Sequence, residues 1–483
     1  MNSTIKRASV ACLLMFGLLM LNINYLQAVK AEGLREDSRN NRSFFARYQN
    51  ERGMITAGGE TLAKSVDTKD SKFRFARKYF DGPVYAPVVG FFAPESTRGI
   101  ENAADQYLAG THPDLFVRRT VDLVTNKPTR GAAIDLTLVP KAQKVAYDDL
   151  RRSGKRGAVV ALEPETGAIL AMASAPSYDP NTMAAPDKAK AARAYNKLDA
   201  NDNHPLRNRA IDETYAPGST FKVVTSAAYL SDDDSRDENT SVDAPDSLPL
   251  PGTNISLPNY HGESCGGRAT LLDALTISCN TAFANMALDM GYDRLAEQAT
   301  KFGMGQELSI PLKVVPSNIG KDEGKAALAM TAIGQRDNQI TPLQMAMVAA
   351  GVANQGKVMR PYLINKIVGP ENDEISTARP KELDEAVSPE VAGELRNMMI
   401  NVVQNGTGKA AQLPGMQVAG KTGTAETAKG AASHAWFIAF APADAPKVAV
   451  AVFVESGSAG TDATGGAVAA PIAHDVMQAV LAK

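Results

Sequence analysis

The chain is poor in the side chains that build metal centres: its 483 residues hold three cysteines and five histidines. The histidines are scattered and Cys12 lies in an apolar N-terminal run, so the two thiols left, Cys265 and Cys279, cannot complete a zinc site. No metal and no cofactor is expected. An excess of one charge is also lacking, with 51 Lys and Arg against 53 Asp and Glu and a net charge of −2. That balance gives no reason to expect a nucleic-acid partner. The acidic stretch SDDDSRDENTSVDAPDS (231–247) reads as a solvated loop. There is no internal repeat.

What is present begins at the N-terminus. Lys6 and Arg7 precede an apolar run, Ala8 to Leu21, which continues with polar interruptions to Val29. Those 22 residues can span a bilayer, with the two basic residues holding the tail in the cytoplasm. The strictly apolar 14 residues also suit a signal peptide, with Val29-Lys30-Ala31 as its cleavage site. An uncleaved anchor is the preferred reading, and both place everything after residue 31 outside the cytoplasm. In that oxidising location Cys265 and Cys279 are permitted to pair. A disulfide bracing the Ser278 segment is expected, with two buried free thiols as the alternative.

Hydrophobic (44%) and charged (22%) fractions are those of a globular protein, and the length suggests two or three domains. The expected division is a tail at 1–7, an anchor at 8–29, a mainly β module at 30–152 and a larger domain at 153–483. Aromatic-rich short strands fill the first module and the amphipathic PKAQKVAYDDLRRS closes it. The second opens with a hairpin, RGAVVALEPETGAILAMAS (156–174), and ends with another, HAWFIAFAP (434–442) and KVAVAVFVES (447–456), before a last helix. The economical arrangement is an α+β fold: one antiparallel sheet from the first and last strands, helices on its faces, and a helical region inserted between.

Inside that domain, YAPGSTFKVVTSAAYL (215–230) sets Ser219 after a Pro-Gly turn and Lys222 three residues later. Phe221, Val223, Val224, Ala227, Ala228 and Leu230 recur as on a largely buried helix. Helix capping accounts for the serine but not for a lysine in the first turn of a buried helix. Two further motifs follow in order: Ser278-Cys279-Asn280, 59 positions on, and Lys421-Thr422-Gly423, another 143 on. A serine hydroxyl is a poor nucleophile until a base takes its proton. A lysine does so once burial and nearby positive charge lower its pKa. At i+3, Lys222 faces the same side as Ser219. Ser278 can relay a proton to a leaving amine, and Asn280 can hold a substrate amide. Lys421 supplies fixed positive charge, while Thr422 and Thr424 can bind a substrate carboxylate. The backbone N–H groups of Ser219 and Thr424 form the expected oxyanion hole.

This set, in this order, is that of serine β-lactamases and penicillin-binding proteins. The chain resembles a class B penicillin-binding protein, of the actinobacterial penicillin-binding protein A group. The likeness runs through ERGMITAGG, GAVVALEPETGAILAMAS, YAPGSTFKVVT, SCNTAFA, AIGQRDNQITPLQMAMVAAGVANQG, NGTGKAA and AGKTGTAE. It implies a penicillin-binding transpeptidase domain with a helical subdomain, a β pedestal at 30–152 whose SRNNR and Arg52-Gly53 resemble interdomain motifs, and one membrane anchor. It also implies a D,D-transpeptidase that cross-links peptidoglycan stem peptides of a lipid-linked precursor polymer, is acylated at Ser219 and is inhibited by β-lactams. A membrane glycosyltransferase of the RodA/FtsW type is the implied partner, since no glycosyltransferase module fits before residue 150. No further domain is expected after the last helix.

The rivals differ in class. A carboxypeptidase passes the acyl group to water, and a β-lactamase deacylates quickly through a glutamate-activated water, for which no Glu-x-x-Leu-Asn pattern is found. A scaffold recruits partners with vestigial catalysis. GMQVAGKT (415–422) matches a phosphate-binding loop literally but lacks the strand before it and the helix after it. GESCG (262–266) matches a nucleophile elbow but follows a proline-rich loop, so Ser264 reads as a turn residue.

Overall fold

The computed structural model describes residues 3–30, 45, 47–94, 96–115, 130–425, 433–455 and 464–482. Helix α1 (Ser3–Ala28) takes in the whole apolar run, has a mean hydropathy of 1.8 over its best window, and is long and apolar enough to cross a membrane. The SRNNR stretch at 38–42 lies outside the described residues.

Strands β1 (Ile55–Ala57), β2 (Glu60–Asp67) and β3 (Phe75–Tyr79) form an antiparallel meander, and β4 (Ala133–Leu136) joins β1 in parallel with Ile134 beside Ile55. Arg52 enters this sheet buried, its guanidinium 2.7 Å from Glu101 and 2.6 Å from Asp105. Arg77 holds the other Glu101 oxygen at 2.5 Å. Two guanidiniums and a carboxylate tolerate burial here because each is paired.

Helix α2 (Pro140–Ser153) follows, with Ala142, Ala146 and Leu150 along one face. The sequence pattern sets this helix at the end of the first module. In the structure its apolar face instead joins the core of the second sheet, and buried Gln143 bonds both ways to the Met172 backbone, at 2.9 and 2.7 Å. The helix follows its apolar stripe to the larger surface that can bury it.

That surface is built by the two hairpins, β5 (Gly157–Leu162) with β6 (Ile169–Ala175), and the pair that ends the chain. Between them run helices α3 (Lys222–Ser231), α4 (Leu271–Thr276), α5 (Asn280–Met290) and α6 (Pro342–Ala353), then strands β7 (Ile364–Val368) and β8 (Glu374–Thr377) and helix α7 (Pro389–Gln404). Strands β9 (Ala419–Ala425), β10 (His434–Ala441) and β11 (Val448–Val454) and helix α8 (Ala470–Leu481) complete the chain. The five-stranded antiparallel sheet has the order β9-β10-β11-β5-β6, joining first and last strands through Val452 beside Val159. Helices α2 and α8 cover one face and α6 the other, so the inner strands are apolar on both sides and read as unbroken hydrophobic runs.

One pairing is not foreshadowed. Strands β7 and β8, from the middle of the larger domain, complete the first sheet, giving the order β8-β7-β4-β1-β2-β3. Ile364 and Ile367 pair with Leu136 and Ile134, covering the otherwise open edge of β4.

Candidate active site

Ser219 sits in a single tight turn, Gly218–Phe221, that runs into α3. The turn is wedged between the edge strand β9 and the loop at Gly334, where Gly218 N–H donates to the Gly334 carbonyl at 2.9 Å. Gly218 has a φ of +54° and a Cβ there would stand 2.6 Å from the Thr424 carbonyl, so only glycine fits. On the opposing strand a Cβ on Gly423 would meet the Pro217 carbonyl at 2.8 Å. The third member of Lys-Thr-Gly thus lets β9 approach the serine turn. The Ser219 hydroxyl caps no helix: the cap positions flanking it are Pro217 and Phe221.

Lys222, in the first turn of α3, is wholly buried. Its Nζ donates to the Ser278 carbonyl and to Asn280 Oδ1, both at 2.7 Å, and lies 3.3 Å from Ser278 Oγ and 5.4 Å from the Phe283 ring centre. Among the described residues no hydrogen bond joins it to Ser219. Lys421, equally buried on β9, donates to the same Ser278 Oγ at 2.9 Å and to the Thr422 carbonyl at 2.9 Å. Burial, and then the Lys421 charge, push the Lys222 amine well below its ordinary value. Burial alone brings Lys421 down to about 7, so the positive charge expected of that side chain is conditional on pH.

Ser278 bridges the two amines from a break between α4 and α5, with a φ of +64°. A left-handed non-glycine residue is uncommon, and here it turns carbonyl and hydroxyl toward the same pair of amines. Cys279 enters α5 and is bonded to Cys265, with their Cα atoms 6.3 Å apart. Asn280 is engaged at both ends, since its Nδ2 also donates to the Pro258 carbonyl at 3.3 Å.

Ser219, Ser278, Asn280, Thr422 and Thr424 line one cleft of about 820 Å³, and the two lysines lie beneath it. Thr407, from the NGTG stretch, joins them with its hydroxyl 2.6 Å from that of Thr422. None of the three motifs names Thr407; its NGTG stretch is the one sequence signal that points to it. Glu263, from the GESCG stretch, also lines the cleft. Ser264 beside it is a turn residue whose hydroxyl donates to Asp246 at 2.6 Å. The phosphate-loop match fails on geometry, because Lys421 and Thr422 lie on a strand and not at a helix start.

A neutral Lys222 amine has two N–H bonds and one lone pair. With both N–H bonds given to the Ser278 carbonyl and Asn280, the lone pair is left to accept a hydroxyl proton. The arrangement can therefore activate a serine without histidine or metal.

Comparison with known proteins agrees with this chemistry. Residues 157–478 match the family described as penicillin binding protein transpeptidase domain, and residues 52–134 match the penicillin binding protein A dimerisation domain. The chain is 46% identical over 491 residues to the peptidoglycan D,D-transpeptidase PbpA of Mycolicibacterium smegmatis, covering 100% of this chain and 99% of the relative. It is 45% identical to PbpA of Mycobacterium tuberculosis over the same shares. The structure of penicillin-binding protein A from M. tuberculosis as a ceftriaxone acyl-enzyme superimposes with a TM-score of 0.87 at 44% identity, covering 90% of this chain and 100% of that one. Its penicillin G acyl-enzyme gives 0.85 at 45% identity, covering 89% of this chain and 100% of that one.

Proposed function

The chain belongs to the class B penicillin-binding proteins, in the penicillin-binding protein A group, and on that footing we propose how its own residues carry out peptidoglycan D,D-transpeptidation. The observation that carries the assignment is a buried amine, Lys222, held by Ser278 and Asn280 beneath the cleft that Ser219 lines. Ser219 Oγ attacks the penultimate D-alanine carbonyl of a stem peptide while its proton passes to the Lys222 lone pair. The N–H groups of Ser219 and Thr424 receive the developing oxyanion. Ser278, in contact with both lysines, returns the proton to the departing D-alanine amine. The acceptor amine then attacks the acyl-enzyme, forms the cross-link and gives Ser219 its proton back.

Thr422 and Thr424, with protonated Lys421 beneath, bind the terminal carboxylate, and Thr407 steadies the Thr422 hydroxyl. Asn280 Nδ2 takes a substrate carbonyl in exchange for that of Pro258. β-Lactams acylate the same serine. Helix α1 is read as a single-pass anchor, 30–152 as the pedestal, with its closing helix α2 packed on the second sheet, and 153–483 as the transpeptidase domain, with the bulk outside the cytoplasm. The polymer is supplied by a membrane glycosyltransferase of the RodA/FtsW type.

Intact-protein mass spectrometry after brief exposure to a penicillin tests the site. One adduct is expected on the peptide containing Ser219, persisting for many minutes. An adduct on Ser264, or none, removes the assignment; one that vanishes at once makes the protein a β-lactamase.

A further inference from the structure

The two N–H groups given to the oxyanion come from separate pieces of chain: that of Ser219 from the turn Gly218–Phe221, that of Thr424 from strand β9. Both must meet one oxygen, so the gap between turn and strand has to be held at a single width. The hydrogen bonds described so far do not hold it. Tyr215 and Ile340 exchange N–H and carbonyl at 3.0 and 2.9 Å, and Gly218 N–H goes to the Gly334 carbonyl, but neither tie reaches the sheet. Among the described residues, one hydrogen bond joins residues 215–221 to the strands β9 and β10. The indole Nε1–H of Trp436 donates to the Ala216 carbonyl at 2.9 Å.

Trp436 is the only tryptophan in the chain. It is fully buried on β10, opposite Gly423 in the β9–β10 register, and does not line the cleft. Strand β9 is the edge strand, so the indole reaches the turn across it, and Gly423 leaves the room. A Cβ on Gly423 would stand 3.0 Å from Trp436 Cβ and 2.8 Å from the Pro217 carbonyl. Phe453 and Tyr215 pack against the indole with ring centres 4.8 and 6.5 Å away, which fixes its direction.

We propose that Trp436 is a positioning residue that sets the width of the oxyanion hole by holding the serine turn to the sheet through the Ala216 carbonyl. This rests on the transpeptidase reading above and adds a part to the same machinery. Ala216 stands three residues before Ser219, and Trp436 faces the residue next to Thr424, so the bond reaches each donor within a few residues. The indole touches no reacting atom and acts through the backbone.

A single tryptophan allows a test that alters one group. Full-length protein made in a tryptophan auxotroph with β-(3-benzothienyl)alanine carries sulfur in place of the indole N–H and keeps the ring shape. Trp436→Phe, measured alongside, also lacks the donor, and 4-fluorotryptophan keeps it. In detergent, a penicillin gives the affinity before acylation, the acylation rate constant and the slow hydrolysis of the adduct. The infrared carbonyl stretch of the acyl-enzyme reports the hole directly, since hydrogen bonds to that oxygen lower its frequency.

Without the N–H, acylation and adduct hydrolysis should both slow by about 10- to 100-fold, less than the loss of an oxyanion donor outright, at unchanged affinity. The carbonyl band should move to higher frequency, and 4-fluorotryptophan should restore rates and band together. A band left in place overturns the proposal: with rates intact the bond is idle, and with rates lowered Trp436 only packs. Loss of circular dichroism and of all labelling in both donor-free proteins overturns it too, because the indole then supports the fold and not the gap. Wild-type protein that penicillin never labels at Ser219 overturns the parent reading, and this one with it.

Discussion

Replacing Lys421 with methionine should move the pH dependence of acylation toward alkali, although the change removes a positive charge. The two lysine nitrogens stand 2.9 and 3.3 Å from the same Ser278 oxygen, so they are at most about 6 Å apart. Two ammoniums at that separation repel by about 3 kcal/mol at an effective dielectric of about 20, equivalent to about two pKa units. Below pH 7 Lys421 carries its charge, and its field helps keep Lys222 unprotonated. Methionine fills the same buried volume without the charge. The Lys222 pKa then rises and the neutral, proton-accepting form appears only at higher pH. Second-order acylation by a penicillin, followed from pH 5 to 9, should show its rising limb displaced upward by about one to two units. Weaker carboxylate binding lowers the plateau but does not move the limb. A lowered plateau with the limb in place would mean that Lys222 does not feel Lys421, or is not the titrating base.

Three other outcomes follow from different contacts. Lys222→Arg puts a permanent cation, unable to deprotonate, in place of the amine, so acylation should slow at least about a hundredfold in a protein with unchanged circular dichroism; a near wild-type rate returns the lysine to packing. Breaking the Cys265–Cys279 link by the paired serine substitutions should cost roughly 3 kcal/mol for a loop of this length, read as a lower urea midpoint, and an unmoved midpoint denies the link a stabilising role. Glu101→Gln leaves Arg77 buried without its anion and Arg52 with Asp105 alone, and should cost about 3–5 kcal/mol. Burial pushes the Glu101 carboxyl up, but the Arg77 and Arg52 guanidiniums outweigh it and hold it below the ordinary value. Its stabilisation is thus complete above about pH 4.3 and lost as pH falls through the depressed value, a dependence absent from the glutamine variant if the triad carries it.

The parts of the fold that announce themselves in the sequence are those set by local pattern. Strands β5 and β11 are unbroken apolar runs, β6 and β10 are interrupted only by Ser174 and His434, and turn residues lie between them, while α3 carries its motif in a helical period. The three motifs also name the residues that meet at the cleft. Four things are not local. The pairing of β7 with β4 links residues far apart in the chain, and no composition marks it. The left-handed Ser278 carries none of the glycine or asparagine that normally flags such a backbone. Lys222 turns its hydrogen bonds to Ser278 and Asn280, because a buried amine takes the nearest carbonyls and helical spacing alone does not name its partners. Lys421 loses its assured charge because β9 is buried despite being an edge strand, which depends on how the serine turn packs over it.

The return of β7 to the first sheet also sets a timetable for biosynthesis. When β4 emerges from the ribosome its free edge has no partner, and Ile364–Val368 follows about 230 residues later, roughly 10–50 s at ordinary rates of synthesis. For that interval the nascent chain holds an open β-edge with Ile134 and Leu136 on it, while the serine turn and the helices around Ser278 are still being made. A chain interrupted between residues 136 and 364 is left with that edge, and so with a template for pairing to its neighbours. Quality control of unfinished copies therefore has a recognisable feature to act on, one that completion of the chain removes.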